Sequence, residues 1–454
     1  MNATVLTRPN RFRIRPIGIL VAAGLLATAT YGIGALRPRP APQRPVAPPT
    51  VQGPALADAA PPADLAAIDT QLAIWGPKAA ADARDDISAG NVAVLFLGRG
   101  RLTGDAADYE KALAAANRAV AANPVSTGTR ALKATVLQAT HDFPGALALA
   151  TAILAEEPGN VDALAVEGDA QLELGRLDDA AGTYAQIGRI LPGPALDARL
   201  ARLAWLRGDA GGALRIARAA RDEGATAETT DPSFYEAQLG EIARVTGNTD
   251  AARSAYAAAL ALRPTNQLAL LGQARLEAFA GEDAAAISTL RTASAIAPRP
   301  ETLGLLADLL DRTGDATGAR QQADTIGVID QLGGTAAQLF DRQILGFELD
   351  HGGAADALLQ RAQAAAAIRP DAAGLDLVAW AAYRAGDLDA ARAASDRAMA
   401  TGTADARILF HAGAIAIARG DAVGGRALVQ RALDLGPALD PFDRAAAETL
   451  VAGS

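Results

Sequence analysis

Cysteine is absent from these 454 residues, histidine occurs three times, and lysine occurs only at Lys78, Lys111 and Lys133. No disulfide, thiolate metal site or cysteine nucleophile is open to such a chain, and the absence is compatible with either side of a membrane. Aromatic residues are also scarce, at 4%. Packing must then rest on alanine and leucine, which favour closely spaced helices over the β-branched and aromatic faces of sheets. Because half of the residues are apolar, the chain is not disordered, and the expected fold class is all-α. Arginine supplies 39 of the 42 basic residues and alanine is abundant throughout, a pattern of codon bias in a GC-rich, bacterial genome. Single arginines therefore carry less functional weight than usual.

Positive charge is concentrated at one end. The net charge is −9, yet residues 1–62 hold seven arginines against one aspartate, which leaves −15 for the remainder. A body that acidic repels phosphate backbones and has no basic stripe to offset the repulsion, so nucleic acid is excluded as a partner class.

Residues 1–16 carry Arg8, Arg11, Arg13 and Arg15 and no acid, and an uncharged apolar run follows from Ile17 to Leu36. A helix of about 20 residues, rising 1.5 Å per residue, crosses a hydrocarbon core roughly 30 Å thick. Two readings are open. In one, 17–36 is an uncleaved anchor stopped by Arg37 and Arg39. In the other it is a signal peptide with a small-residue cleavage site near Ala29. Both place the body outside the cytoplasm, because the denser arginine cluster precedes the run. Nine prolines between residues 37 and 62 then predict an extended, semi-rigid linker.

Beyond the linker a short pattern recurs: a glycine followed by a polar residue, as in Gly386-Asp387. It returns at Gly104, Gly175, Gly208, Gly247, Gly281, Gly314, Gly353 and Gly420, with His141 filling the remaining slot. The spacings are 37, 34, 33, 39, 34, 33, 39, 33 and 34 residues, which makes ten units of about 34. Five residues after the slot stands a small residue, for example Ala180, Ala252, Ala391 or Gly425, and seventeen after it a proline, for example Pro192, Pro264 or Pro437. The glycine ends one helix where positive φ is wanted, and the next polar residue caps the following helix. The small residue lets two antiparallel helices approach, and the proline stops the second helix.

These residues resemble the tetratricopeptide repeats. The unit from Val161 to Pro194 matches with Leu164, Gly168, Gly175, Ala180, Tyr184 and Pro192, and the unit from Ser233 to Asn266 with Leu239, Gly240, Gly247, Ala252, Tyr256 and Pro264. The early tryptophan of the family is missing from most units, and the 39-residue spacings place insertions near 223–231 and 326–334. The resemblance implies a right-handed superhelical solenoid of about ten hairpins over residues 63–437, closed by a capping helix in 438–454.

It also implies that first helices line a concave groove that holds a protein or peptide. Projected inner-face positions are Thr135, Asp169, Glu173, Arg202, Trp205, Glu241, Arg244, Arg275, Phe279, Asp308, Arg312, Phe347, Trp380 and Arg384. Arginines and aromatics in a groove are the usual anchors of interfaces. The family's carboxylate-gripping version uses lysine and asparagine at these positions, and that activity does not carry over to arginines and acids.

Catalysis finds no support in the sequence. The histidines fall at His141 and His351 in inter-helix turns of different units and at His411 in mid-helix, where a partly exposed side chain is expected, and HExxH, GxxxxGK[ST] and GxSxG are all missing. Neither a cofactor nor a metal is expected. The function expected is that of a non-catalytic, membrane-tethered scaffold binding a protein or peptide partner in an envelope complex. The alternatives are a homo-oligomer formed by self-association and an accessory subunit of an envelope transport or biosynthetic enzyme.

Overall fold

A computed structural model describes residues 63–226 and 231–452. The basic segment, the apolar run 17–36 and the proline-rich linker lie outside the described residues. Among the described residues no helix is long and apolar enough to cross a membrane.

The described chain is helical throughout, with no strand among its residues. It begins with α1 (Ala63–Ala81), and hairpins follow. The first five pair α2 (Asp86–Thr103) with α3 (Ala106–Ala122), α4 (Thr127–Ala139) with α5 (Phe143–Glu156), α6 (Val161–Glu173) with α7 (Leu177–Ile190), α8 (Pro194–Leu206) with α9 (Ala210–Gly224), and α10 (Pro232–Val245) with α11 (Thr249–Leu262). The second five pair α12 (Gln267–Phe279) with α13 (Asp283–Ile296), α14 (Pro300–Arg312) with α15 (Ala316–Gln331), α16 (Gly334–His351) with α17 (Ala355–Ile368), α18 (Ala372–Arg384) with α19 (Leu388–Met399), and α20 (Ala406–Ala418) with α21 (Ala422–Asp434). A short turn at Gly436–Ala438 leads into α22 (Pro441–Ala452).

The recurring dipeptide does what its chemistry suggests. Gly386 sits at φ +81°, and the Gly386 and Asp387 amides donate back to the carbonyls of Tyr383 and Ala382 at 3.1 and 2.9 Å. The Asp387 carboxylate then accepts from the Ala390 amide at 3.0 Å, which caps α19. His141 holds the same left-handed conformation at φ +62°, alone among the described non-glycine residues. The slot assigned to Gly353 needs correction by one residue. Gly352 is the left-handed one, at φ +96°, because α16 runs to 18 residues and absorbs the second insertion by lengthening.

Alanine carries the packing. Ala146, Ala180, Ala213, Ala252, Ala286 and Ala391 are wholly buried between the helices of their hairpins. Tyr184 and Tyr256 fill the wider gaps, and each lies against a glycine of the first helix, Gly168 and Gly240, where a Cβ would collide with the ring. Apolar clusters run from one hairpin into the next. One joins Ala237 of α10, Tyr256 of α11 and Ala269 and Leu276 of α12, so each unit covers a flank its neighbour leaves open.

The array coils until it meets itself. Hairpin tips of the first five units rest against loops and helix ends five units further on: a Cβ on Gly104 would touch Ala297, one on Gly175 the Asp371 backbone, and one on Gly208 the Gly402 carbonyl. Arg299 donates to the Arg101 carbonyl at 3.1 Å, and Arg369 to the Glu173 carbonyl at 3.0 Å and to its carboxylate. Leu339 and Phe340 of α16 add an apolar contact against the first hairpin. The seam between the two turns is thus mostly polar, and it closes the concave side into an interior.

Candidate functional site: a polar chamber inside the superhelix

First helices of the hairpins point their inner faces into that interior, and a chamber of about 390 Å³ lies among α8, α10, α12, α14, α16, α18, α20 and the segment from Ala438 to Asp443. A smaller cavity of about 190 Å³ adjoins it, with Trp205, Ala373, Asp405 and Ile408 lining both.

Ion pairs dominate the chamber wall. Arg244, only 5% exposed, donates to Glu241 at 3.0 and 2.6 Å and to the Pro437 carbonyl at 2.9 Å. Arg275 pairs with Glu301 at 2.8 Å and with Asp440 at 2.9 Å. Arg407 is held by Asp350 and by Asp443 at 3.4 Å. His351 Nε2 meets Asp308 at 2.7 Å, and its ring stacks on Phe347 at 4.1 Å between centroids.

Carboxylates outnumber cations here, and their protonation reflects it. Burial pushes the Asp443 carboxyl up to about 6, with Arg407 opposing and Asp350 adding to the rise. Burial likewise raises Asp308 and Asp405. Glu241 goes the other way: burial works against its charge, but Arg244 beside it holds the carboxyl down at about 2. For His351 desolvation opposes protonation, yet the Asp308 carboxylate wins and the imidazole pKa is raised.

Of the projected inner-face positions, Trp205, Glu241, Arg244, Arg275, Asp308 and Phe347 line the chamber. Arg202 lines the adjoining cavity and pairs with Glu173, which also meets Arg369. Thr135 and Asp169 are buried in the hairpin interior. Asp169 accepts from Arg199 at 2.8 and 3.0 Å, from the Tyr184 hydroxyl at 2.8 Å and from Gln138 at 3.1 Å.

Five expectations fail. Trp380 is 7% exposed and belongs to the core, donating to Asp350 at 2.9 Å and stacking on His411 at 4.0 Å. Arg312 turns away to Asp283 of the preceding hairpin at 3.0 Å, as Arg207 does to Asp178 and Arg419 to Asp389. Arg384 is exposed at the end of α18, and neither it nor Phe279 lines the chamber; Phe279 is 38% exposed, under the Arg444 guanidinium at 4.8 Å. His411, expected to be partly exposed, is fully buried with Nδ1 at 2.9 Å from Asp376.

Arg342, Asp350, Asp376, Asp405 and Arg407 also line the chamber without having been projected there. Asp405 could have been found, since Asp before Ala406 reads as a helix cap, and it accepts from the Arg407 and Ile408 amides. The remainder carry no local signal, because their ion-pair partners sit on other units.

Helical hairpins wound around a polar interior make this chain a helical-repeat solenoid. Two tetratricopeptide repeat family models match, over residues 137–203 and 237–299, and those stretches carry tetratricopeptide repeats. Proteins built from them generally act as protein-interaction scaffolds. No curated protein matches the chain. Solved structures similar to it include human IFIT1, as a dimer with m7Gppp-AAAA, at 15% identity over 82% of this chain and 86% of that one, with a TM-score of 0.45. PilW, a type IV pilus biogenesis factor, is 16% identical over 47% of this chain and 97% of that one, with a TM-score of 0.39. A thermophilic tetratricopeptide repeat protein of Thermus thermophilus is 21% identical over 38% of this chain and 90% of that one, with a TM-score of 0.34.

Proposed function

We propose that the protein is a non-catalytic scaffold tethered on the outer side of a bacterial cytoplasmic membrane, where it binds a protein or peptide segment in the assembly or regulation of an envelope complex. The carrying observation is the chamber itself, a ligand-sized interior walled by arginines and carboxylates on successive first helices. Mixed charge of that kind suits a partner segment bearing both backbone carbonyls and charged side chains, and it offers register through paired charges rather than through bulk apolar contact. Tethering rests on the apolar run from Ile17 to Leu36 behind four arginines, and distance from the bilayer on the proline-rich linker.

Crosslinking in intact cells followed by identification of the captured species tests the binding role. One envelope protein captured reproducibly, through a photo-crosslinker at Trp205, is the expected result. Capture through an outer-face position such as Arg253 but not through Trp205 refutes the interior as the docking surface. An alkaline phosphatase fusion after Ser454 should be active, and an inactive fusion beside a bright cytoplasmic fluorescent fusion refutes the orientation.

A further inference from the structure

One wall of the chamber is a peptide of the chain itself, the segment from Ala438 to Asp443. From Pro437 to Asp443 the backbone runs along the inner faces of four units. The Pro437 carbonyl accepts from Arg244 at 2.9 Å, Asp440 pairs with Arg275 at 2.9 Å, Phe442 lies 5.1 Å from the His351 ring, and Asp443 reaches Arg407 at 3.4 Å. These partners come from α10, α12, α16 and α20, so one short stretch reads positions spread over 164 residues of sequence.

Covering the end of a solenoid does not call for this chemistry. Leu439, Ala447, Leu450 and Val451 already close the last apolar cluster. Asp440, Phe442 and Asp443 are surplus to that task, and Phe442 remains 43% exposed, an aromatic ring left in solvent beside His351. A main-chain carbonyl on an arginine, two carboxylates on two more, and a ring on an imidazole are what a peptide-reading surface supplies.

Resting on the reading of the interior as the partner's site, we propose that Asp440-Pro441-Phe442-Asp443 is a resident stand-in for the partner's segment: the chamber recognises an acid–proline–aromatic–acid peptide and is self-occupied until a partner exchanges with it. Exchange, rather than simple release, is the economical route, because the incoming acids replace those that leave and no arginine is left buried alone. A tethered segment enjoys an effective concentration in the millimolar range, so a partner must either bring further contacts or arrive in several copies.

The test uses the purified full chain and a fluorescein-labelled peptide of residues 435–448. The triple variant Asp440→Ala, Phe442→Ala, Asp443→Ala keeps Leu439, Ala447, Leu450 and Val451, and far-UV circular dichroism confirms that it is folded. By fluorescence anisotropy this variant should bind the peptide at least ~10-fold more tightly than the unaltered chain, within the range that removing a tethered competitor allows. Adding Arg275→Gln to the triple variant should abolish the gain, and a peptide with both aspartates changed to asparagine should not bind. Equal binding by the folded triple variant and the unaltered chain overturns the proposal, as does a gain that survives Arg275→Gln. A failed cellular crosslink leaves this outcome untouched, so the two readings fail separately.

Discussion

His141 should make the stability of this solenoid depend on acid, and replacing it with asparagine should remove that dependence. Its ring sits at the seam between the two turns, stacked on Phe143 at 5.3 Å, with Arg369, Arg342 and Arg202 around it and the Gln338 carbonyl near. Burial first, and then those arginines, push its pKa from 6.5 down to about 4. A base whose folded pKa is depressed takes up a proton more readily when unfolded, so its contribution is present above about 6.5 and is lost as pH falls toward 4. Between pH 7 and pH 5 the linkage relation gives a loss of about 2 kcal/mol from this group, or about 1 kcal/mol if solvent at its exposed edge screens the arginines. Asparagine tolerates the left-handed conformation at φ +62°, and the lost ring contact shifts stability equally at both pH values. Urea midpoints of the two proteins at pH 7 and pH 5 therefore isolate the histidine by difference. Burial-raised acids such as Asp162 and Asp443, each pushed up to about 6, move stability the other way in both proteins and cancel. Parallel behaviour of His141→Asn and the unaltered chain would refute the argument.

Three further outcomes follow from the geometry. Asp169→Ala strands the buried Arg199 guanidinium and the Tyr184 hydroxyl, so it should cost about 3–5 kcal/mol in urea titration, with Asp169→Asn retaining part of the loss; a cost under about 1 kcal/mol contradicts the network. Gly413→Ala places a Cβ 2.6 Å from the Gly425 carbonyl oxygen and should lower stability by about 1–3 kcal/mol, whereas Gly182→Ala, with nothing within 4 Å, should be neutral or gain up to about 1 kcal/mol. Equal effects at the two sites would show that α20 and α21 are not in that close approach. Arg299→Ala with Arg369→Ala removes two seam contacts and, at about 1–3 kcal/mol each, should loosen the coil, read as a larger radius of gyration by small-angle scattering; an unchanged radius means the seam is held elsewhere.

How much of this was legible beforehand divides along one line. Gly386, Asp387, Ala391 and, in six of the ten units, the proline seventeen residues after the turn act within one hairpin, over fewer than 20 residues, so their period discloses helix, turn and close packing directly. The doublet Gly352-Gly353 defeats the same logic by one step, since either glycine satisfies the pattern and only the length of α16 chooses between them. Inner-face positions were legible where the first helix alone sets them, as for Arg244 and Arg275. Arg312 was misplaced because an acid on the preceding hairpin draws its flexible side chain outward, and His411 because a neighbouring helix supplies the carboxylate and the indole that bury it.

Period and small-residue spacing determine a helical hairpin and its stacking on the next, because those contacts are local and repeat identically. Whether the coil stays open or closes depends on small rotations per unit that accumulate over ten, and no single unit records their sum. Only the tertiary structure therefore decided that Arg275 meets Asp440 across 165 residues, that the seam shuts, and that the segment from Ala438 to Asp443 lines its interior.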